Sequence, residues 1–239
     1  DGAGKTTLLQ ILAAILRPTS GRCLVLGQDV RARPEAVQAR VGYMSQGFSL
    51  YDRLTVAENI AFAAAIRDVG QTELGPRKRE LLAMAGLDRF EGRREGALSG
   101  GMRKKLALCT NLVHRPPLLI LDEPSLGVDP LSRRELWAML ERSRAEGRAV
   151  VFATSYMDEA DASDHVLLLR DGRPLAMGRP EDLRALARGR VYRIRTPDPG
   201  GLERRLAESP HIVSFQKVSS DEYRLQCAQP GGPAGLGPE

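Results

Sequence analysis

Gly2-Ala3-Gly4-Lys5-Thr6 places two glycines, an ammonium and a hydroxyl directly ahead of an apolar run at helical spacing. Residues of these types in this order suit a bound phosphate. A glycine turn and a helix N-terminus expose backbone N–H groups, Lys5 adds a point charge, and Thr6 offers an oxygen to Mg²⁺. Gly4-Lys5-Thr6 matches the end of the pattern G-x-x-x-x-G-K-S/T, whose first glycine would lie two residues ahead of Asp1. The recorded loop therefore reads as the second half of a nucleotide-binding loop. A second cluster, Leu118-Leu119-Ile120-Leu121-Asp122-Glu123, is an aliphatic strand ending in adjacent carboxylates. Near bound phosphates such a strand end serves a metal and a water: Asp122 is expected to hold Mg²⁺ through water, and Glu123 to polarise the attacking water.

Leu98-Ser99-Gly100-Gly101-Met102 is the third cluster. Taken alone, Ser99 is a helix N-cap and the glycines a tight turn. Standing some twenty residues before the Leu118 strand, it gives the chain a resemblance to the ATP-binding-cassette ATPases, whose signature is Leu-Ser-Gly-Gly followed by a helix. The resemblance extends from Asp1 to about Leu186. It implies that ATP and Mg²⁺ are held by Gly2, Ala3, Gly4, Lys5, Thr6 and Thr7. It also implies that Ser99, Gly100 and Gly101 face the γ-phosphate of a second, opposing cassette. Gln46 matches the glutamine that touches the metal and the nucleophilic water and couples to a transmembrane partner, so the implied metal contacts are Thr6, Gln46 and Asp122. Residues 43–46 and 54–59 extend the match. Residues 125–130 match the loop through which opposing domains communicate, although Asp129-Pro130 is equally a natural N-cap and N1 pair.

The sequence departs from the family pattern after the strand at 150–153, where Thr154-Ser155 replaces Thr-His. Serine is shorter and cannot become an imidazolium, so Glu123, Gln46 and Ser155 form an expected catalytic set with slow hydrolysis. The aromatic residue on which the family stacks adenine belongs to a strand ahead of the glycine loop and cannot be named, and weak or absent ATP binding is expected of the recorded residues alone. The phrases at 98–108, 127–130 and 156–160 most resemble ATPase subunits of exporters with separate permeases, in particular the first of two cassettes in one chain. That resemblance implies hydrolysis powering export of an unidentified substrate through an integral-membrane permease, at the cytoplasmic face of the cell membrane. Two other readings are a soluble ribosome- or nucleic-acid-associated cassette ATPase and a catalytically degenerate regulatory cassette.

The surrounding elements have to position these groups. With 239 residues and 42% hydrophobic content, the chain suits one large domain with a small appendage. No apolar run reaches the length of a membrane span, and the first residues lack the features of a secretory signal. The net charge of +5 is scattered over the chain and reads as a solvated surface, so no specific nucleic-acid partner is expected. Cys23, Cys109 and Cys227 lack metal or disulfide spacing and read as buried thiols, and His114, His165 and His211 read as incidental. Residues 8–16 follow helical spacing. Strands are expected at 23–26, 41–44, 118–121, 150–153 and 166–169, the last three buried on both faces.

Between 54 and 113 the strand signal gives way to three helices, the first opened by a Thr55/Glu58 capping box. The fold class is therefore α/β: a P-loop NTPase of the ATP-binding-cassette type with an inserted helical subdomain. The expected domains are 1–190 for the ATPase, with the helical insertion at about 54–113, then a small α/β accessory segment at 191–228 and a disordered tail or linker at 229–239.

Overall fold

The computed structural model describes residues 2–47, 49–186 and 189–228. The tail expected at 229–239 lies outside them. The chain divides into two compact units, Asp1–Met157 with Leu169–Arg173, and Asp158–Leu168 with Pro174–Glu239.

In the first unit α1 (Lys5–Leu12) springs from the glycine turn. It is followed by the short antiparallel pair β1 (Leu24–Val25) and β2 (Gln28–Asp29), then by α2 (Pro34–Gln38). A parallel sheet in the order β3-β4-β5 comes next, built of β3 (Val41–Met44), β4 (Leu118–Asp122) and β5 (Ala149–Ala153). Between β3 and β4 the chain forms α3 (Val56–Ile66), α4 (Gln71–Ala85) and α5 (Gly100–Leu112), while α6 (Pro130–Ala145) links β4 to β5.

All five residues of β4 are buried, and its alternation divides the core in two. Leu119 and Leu121 join Val56, Ile60, Leu82, Leu106 and Leu136 of the helical side. Leu118 and Ile120 join Leu9, Ala13, Val25, Val37 and Val41 of the α1 side. A strand covered on both faces needs an apolar side chain at every position, and this explains the unbroken aliphatic run leading to Asp122.

The remaining elements are α7 (Met157–Asp161), the strand pair β6 (Val166–Arg170) and β7 (Arg173–Gly178), and α8 (Pro180–Ala185). A three-stranded antiparallel sheet in the order β8-β10-β9 follows, from β8 (Val191–Arg195), β9 (Ile212–Lys217) and β10 (Glu222–Cys227), with α9 (Pro199–Glu208). This sheet and α9 enclose a small core of Leu202, Leu206, Tyr223 and Leu225.

Several elements differ from the sequence reading. α1 ends at Leu12, with Ala14 at φ 56, and Ile15 and Leu16 are exposed. Helical spacing continues to Leu16, but a helix persists only where its apolar face is covered. α4 begins at Gln71 and carries Pro76 within it, a residue that in the sequence alone would mark a helix break. Only β4 is buried throughout: Val151 of β5 and Leu167 and Leu168 of β6 are exposed. Among the described residues β5 pairs only with β4, and β6 only with β7. The capping box is present as expected, with Glu58 N–H donating to Thr55 Oγ1 and Thr55 N–H to Glu58 Oε2. Cys109 and Cys227 are buried and Cys23 is partly exposed, all three free; burial pushes the Cys109 thiol up to about 12. Among the described residues no helix is long and apolar enough to cross a membrane.

Candidate functional site

Gly2 and Gly4 lie at φ 73 and 93, a left-handed conformation that only glycine adopts without steric cost. Gly4 is the N-cap of α1 and no side chain caps that helix, so the first-turn N–H groups of an eight-residue helix are left for another acceptor. The loop is braced from outside: Gly172 N–H donates to the Ala3 carbonyl at 3.1 Å. Thr6 and Thr7 are exposed on the first turn.

Lys5, Glu123 and Ser155 converge. Lys5 Nζ is 3.4 Å from Glu123 Oε1, and the Glu123 side chain retains only 8% exposure. Ser155 directs both of its donors to the same carboxylate, Oγ to Oε1 at 2.7 Å and N–H to Oε2 at 3.1 Å. The register explains the meeting. Asp122 pairs with Ala153 and Glu123 N–H donates to the Ala153 carbonyl at 3.1 Å, so β4 and β5 end side by side and their next residues share one edge. At φ 49 Glu123 is held in a conformation that non-glycine residues adopt only under constraint from their surroundings.

Asp122 is 1% exposed and neither of its carboxylate oxygens has a hydrogen-bond partner. A buried carboxylate left in this state is costly, and a cation would relieve it. No group of three or more His, Cys, Asp or Glu among the described residues forms a metal cage. A single carboxylate with a threonine hydroxyl suits Mg²⁺, which keeps waters and takes its other ligands from substrate phosphates.

Gln46 follows β3 with its side chain exposed, and its carbonyl accepts from Lys104 Nζ at 2.9 Å. Ser99 and Gly100 are exposed at the start of α5, where Ser99 Oγ accepts from Met102 N–H at 3.3 Å. The next residue, Gly101, is buried against the first turn of α6: a Cβ there would lie 2.2 Å from Ser132 Oγ and 3.3 Å from Asp129 Oδ2. Asp129 caps α6 by accepting from Leu131 and Ser132 N–H, and these bonds, chiefly that from Ser132, hold its carboxyl below the usual range.

The structure thus makes two groups of the residues singled out from sequence. Lys5, Glu123 and Ser155 meet at the ends of β4 and β5 beside Asp122, whereas Gly101 and Asp129 meet where α5 touches α6. Lys104 was not singled out. Its one signal is a charge at a helix position that the apolar pattern assigns to the interior.

A protein-family model described as ABC transporter matches residues 1–126. The probable multidrug ABC transporter ATP-binding protein YbhF of Escherichia coli (strain K12) is 42% identical over 227 residues, 94% of this chain and 39% of that protein. The daunorubicin/doxorubicin resistance ATP-binding protein DrrA of Streptomyces peucetius is 34% identical over 199 residues, 83% of this chain and 60% of that protein. The chain spans about two fifths of the length of the first of these, at 39%. Among solved structures, an ATP-binding subunit of an ABC transporter superposes with TM-score 0.70 at 28% identity, covering 78% of each chain. The dimeric bacterial ABC transporter cassette MJ0796 superposes with TM-score 0.69 at 25% identity, covering 75% of this chain and 82% of that one.

Proposed function

The chain belongs to the ABC transporter family as an ATP-binding cassette of the α/β P-loop NTPase fold, and on that premise we propose that it binds and hydrolyses MgATP to power export through a membrane permease. The observation that carries this reading is the buried Asp122 with two unpartnered oxygens, beside a carboxylate held between Lys5 and Ser155.

In this reading the β- and γ-phosphates lie on the N–H groups of residues 2–7, and Lys5 leaves Glu123 for the phosphate, exchanging one anion for another. Asp122, Thr6 and Gln46 are the residues that would hold Mg²⁺, which would supply neutralising charge to the phosphates. Glu123, released by Lys5, accepts the proton of the attacking water as the bond from phosphorus to the leaving ADP oxygen breaks. Ser155 engages Glu123 where the family pattern has a histidine aimed at the γ-phosphate. Loss of a donor aimed at transition-state charge costs about 10²- to 10³-fold, so this site turns over slowly.

The exposed turn of Ser99 and Gly100 is offered to the nucleotide of a second cassette, either in the same chain or in a homologous subunit. The similarity to YbhF, a probable multidrug transporter ATP-binding protein, and to DrrA, a drug-resistance ATP-binding protein, supports export as the direction. Tyr51, Phe62 and Ile66 form an exposed apolar face on and beside α3, with the Tyr51 and Phe62 rings stacked edge-on at 4.6 Å. A cavity of about 490 Å³ adjoins Ile66, Arg67, Gln38 and Tyr43. This face is the surface assigned to the permease.

The test is single-site turnover in the full-length protein. Lys5→Ala should abolish nucleotide binding, and Glu123→Gln should cut hydrolysis by at least ~10²-fold while nucleotide still binds. Ser155→His should raise hydrolysis. Turnover indifferent to Glu123→Gln would remove the basis for the reading.

A further inference from the structure

Lys104 lies within α5 at 3% exposure, and its ammonium donates to the main-chain carbonyl of Gln46 at 2.9 Å. Burial pushes this lysine below its ordinary value, while attraction from Asp122 and then Glu123 opposes the shift. The charge therefore sits within the field of both carboxylates of the candidate site. A methionine of similar length would occupy the same space without desolvating a charge, so packing alone gives no reason for an ammonium here.

The place of Lys104 on its helix gives a reason. α5 begins with the turn of Ser99, Gly100 and Gly101, little more than one turn upstream. The next residue, Lys105, is 7% exposed, and its Nζ lies 2.7 Å from Glu135 Oε2 of α6. Adjacent lysines thus tie one helix to two loop-and-helix systems: Lys105 to α6, whose cap is Asp129, and Lys104 to the loop of Gln46.

We propose that Lys104 is a positioning residue that fastens the Gln46 loop of this cassette's own nucleotide site to the helix presenting Ser99, Gly100 and Gly101 to the opposing cassette. The proposal rests on the cassette-pair reading above. A main-chain carbonyl held by a helix side chain, rather than by a neighbouring strand, lets a shift of the Gln46 loop act directly on α5. Nucleotide arriving at one site then alters the wall offered to the other. Lys104 touches no phosphate in this scheme and acts through Gln46.

The experiment uses the full-length protein that carries this chain as wild type, Lys104→Met and Lys104→Gln, with Glu123→Gln as the control for hydrolysis at this site. Without nucleotide, amide exchange at residues 45–47 should quicken by about 10-fold in Lys104→Met and less in Lys104→Gln, while the amides of residues 106–112 keep their protection. With ATP, kcat should fall by about 10-fold while the nucleotide Kd stays within about 2-fold. The double variant Gln46→Ala, Lys104→Met should be no slower than Gln46→Ala alone, because one residue acts through the other. Unchanged exchange at residues 45–47 in either folded variant overturns the proposal, as does a loss that multiplies in the double variant. Wild-type hydrolysis indifferent to Glu123→Gln overturns the cassette reading instead, and the exchange measurement then still decides whether the tether exists.

Discussion

Ser155 and His114 are polar residues whose meaning is set by what lies across from them. As a letter in the sequence Ser155 is a missing histidine. In the fold it engages Glu123, together with Lys5. Sequence could register the substitution but not its new partner, because β4 and β5 are brought side by side by a pairing across residues 118–153. His114, read as incidental, is half-buried. Its pKa is lowered to about 4, first by burial and then by the Arg67 and Arg77 guanidiniums, with the backbone at Val41 opposing. Because the folded value is depressed, the unfolded chain takes up the proton first as pH falls. Stability present above the ordinary histidine value of 6.5 is lost as pH falls through the window down to about 4 and changes little on this account below it. With allowance for the part of the ring that solvent screens, the loss is about 2 kcal/mol. Denaturant titrations at about pH 7 and about pH 4.5 should show a smaller difference for His114→Gln than for the parent protein. Equal differences would mean that other groups carry the acid sensitivity.

Among the elements, α5 has the most demanding surroundings. Its first turn meets α6 so closely that a Cβ at Gly101 would stand 2.2 Å from Ser132 Oγ and 2.3 Å from Ser132 Cβ. The side chain's tip cannot swing away to relieve this, because its root is in the way as well. Gly101→Ala should therefore destabilise the first unit by about 1–3 kcal/mol, and pairing it with Ser132→Gly should restore part of the loss. Thermal unfolding of the two variants checks this. The glycine was legible from its motif, but its physical reason was not, since Ser132 lies thirty-one residues away. The opening of α3 was legible in full, because a capping box is a contact between residues three apart. The start of α4 was not: Gly75-Pro76 reads locally as a break, yet Leu81, Leu82 and Ala85 of that helix are all buried in the larger core. Burial of that face holds the helix through the proline.

At the scale of the whole molecule, the hydrophobic clusters among the described residues belong to two units of unequal size. The second unit has its own core of Leu202, Leu206, Tyr223 and Leu225, between α9 and the sheet in the order β8-β10-β9. Leu206, 1% exposed, is the deepest leucine of α9. Leu206→Ala should cost about 2–5 kcal/mol within this unit. Hydrogen exchange should show the loss at residues 191–228 while β4 and α5 keep their protection. Loss of protection spread equally over both units would show that they unfold together.

The sequence by itself determined the chemistry on offer and the class of fold. A glycine turn before a helix, an aliphatic strand ending in Asp122 and Glu123, and a capped Leu-Ser-Gly-Gly turn are each defined by neighbours within a few residues, where backbone geometry leaves few choices. The tertiary structure alone decided which of these groups meet. Lys5 and Ser155 converge on Glu123, Asp122 is left buried without a partner, and Lys104 is drawn onto the Gln46 carbonyl. Those pairings join elements far apart in the chain. They follow from parallel strand register and helix packing, which local patterns constrain but do not choose.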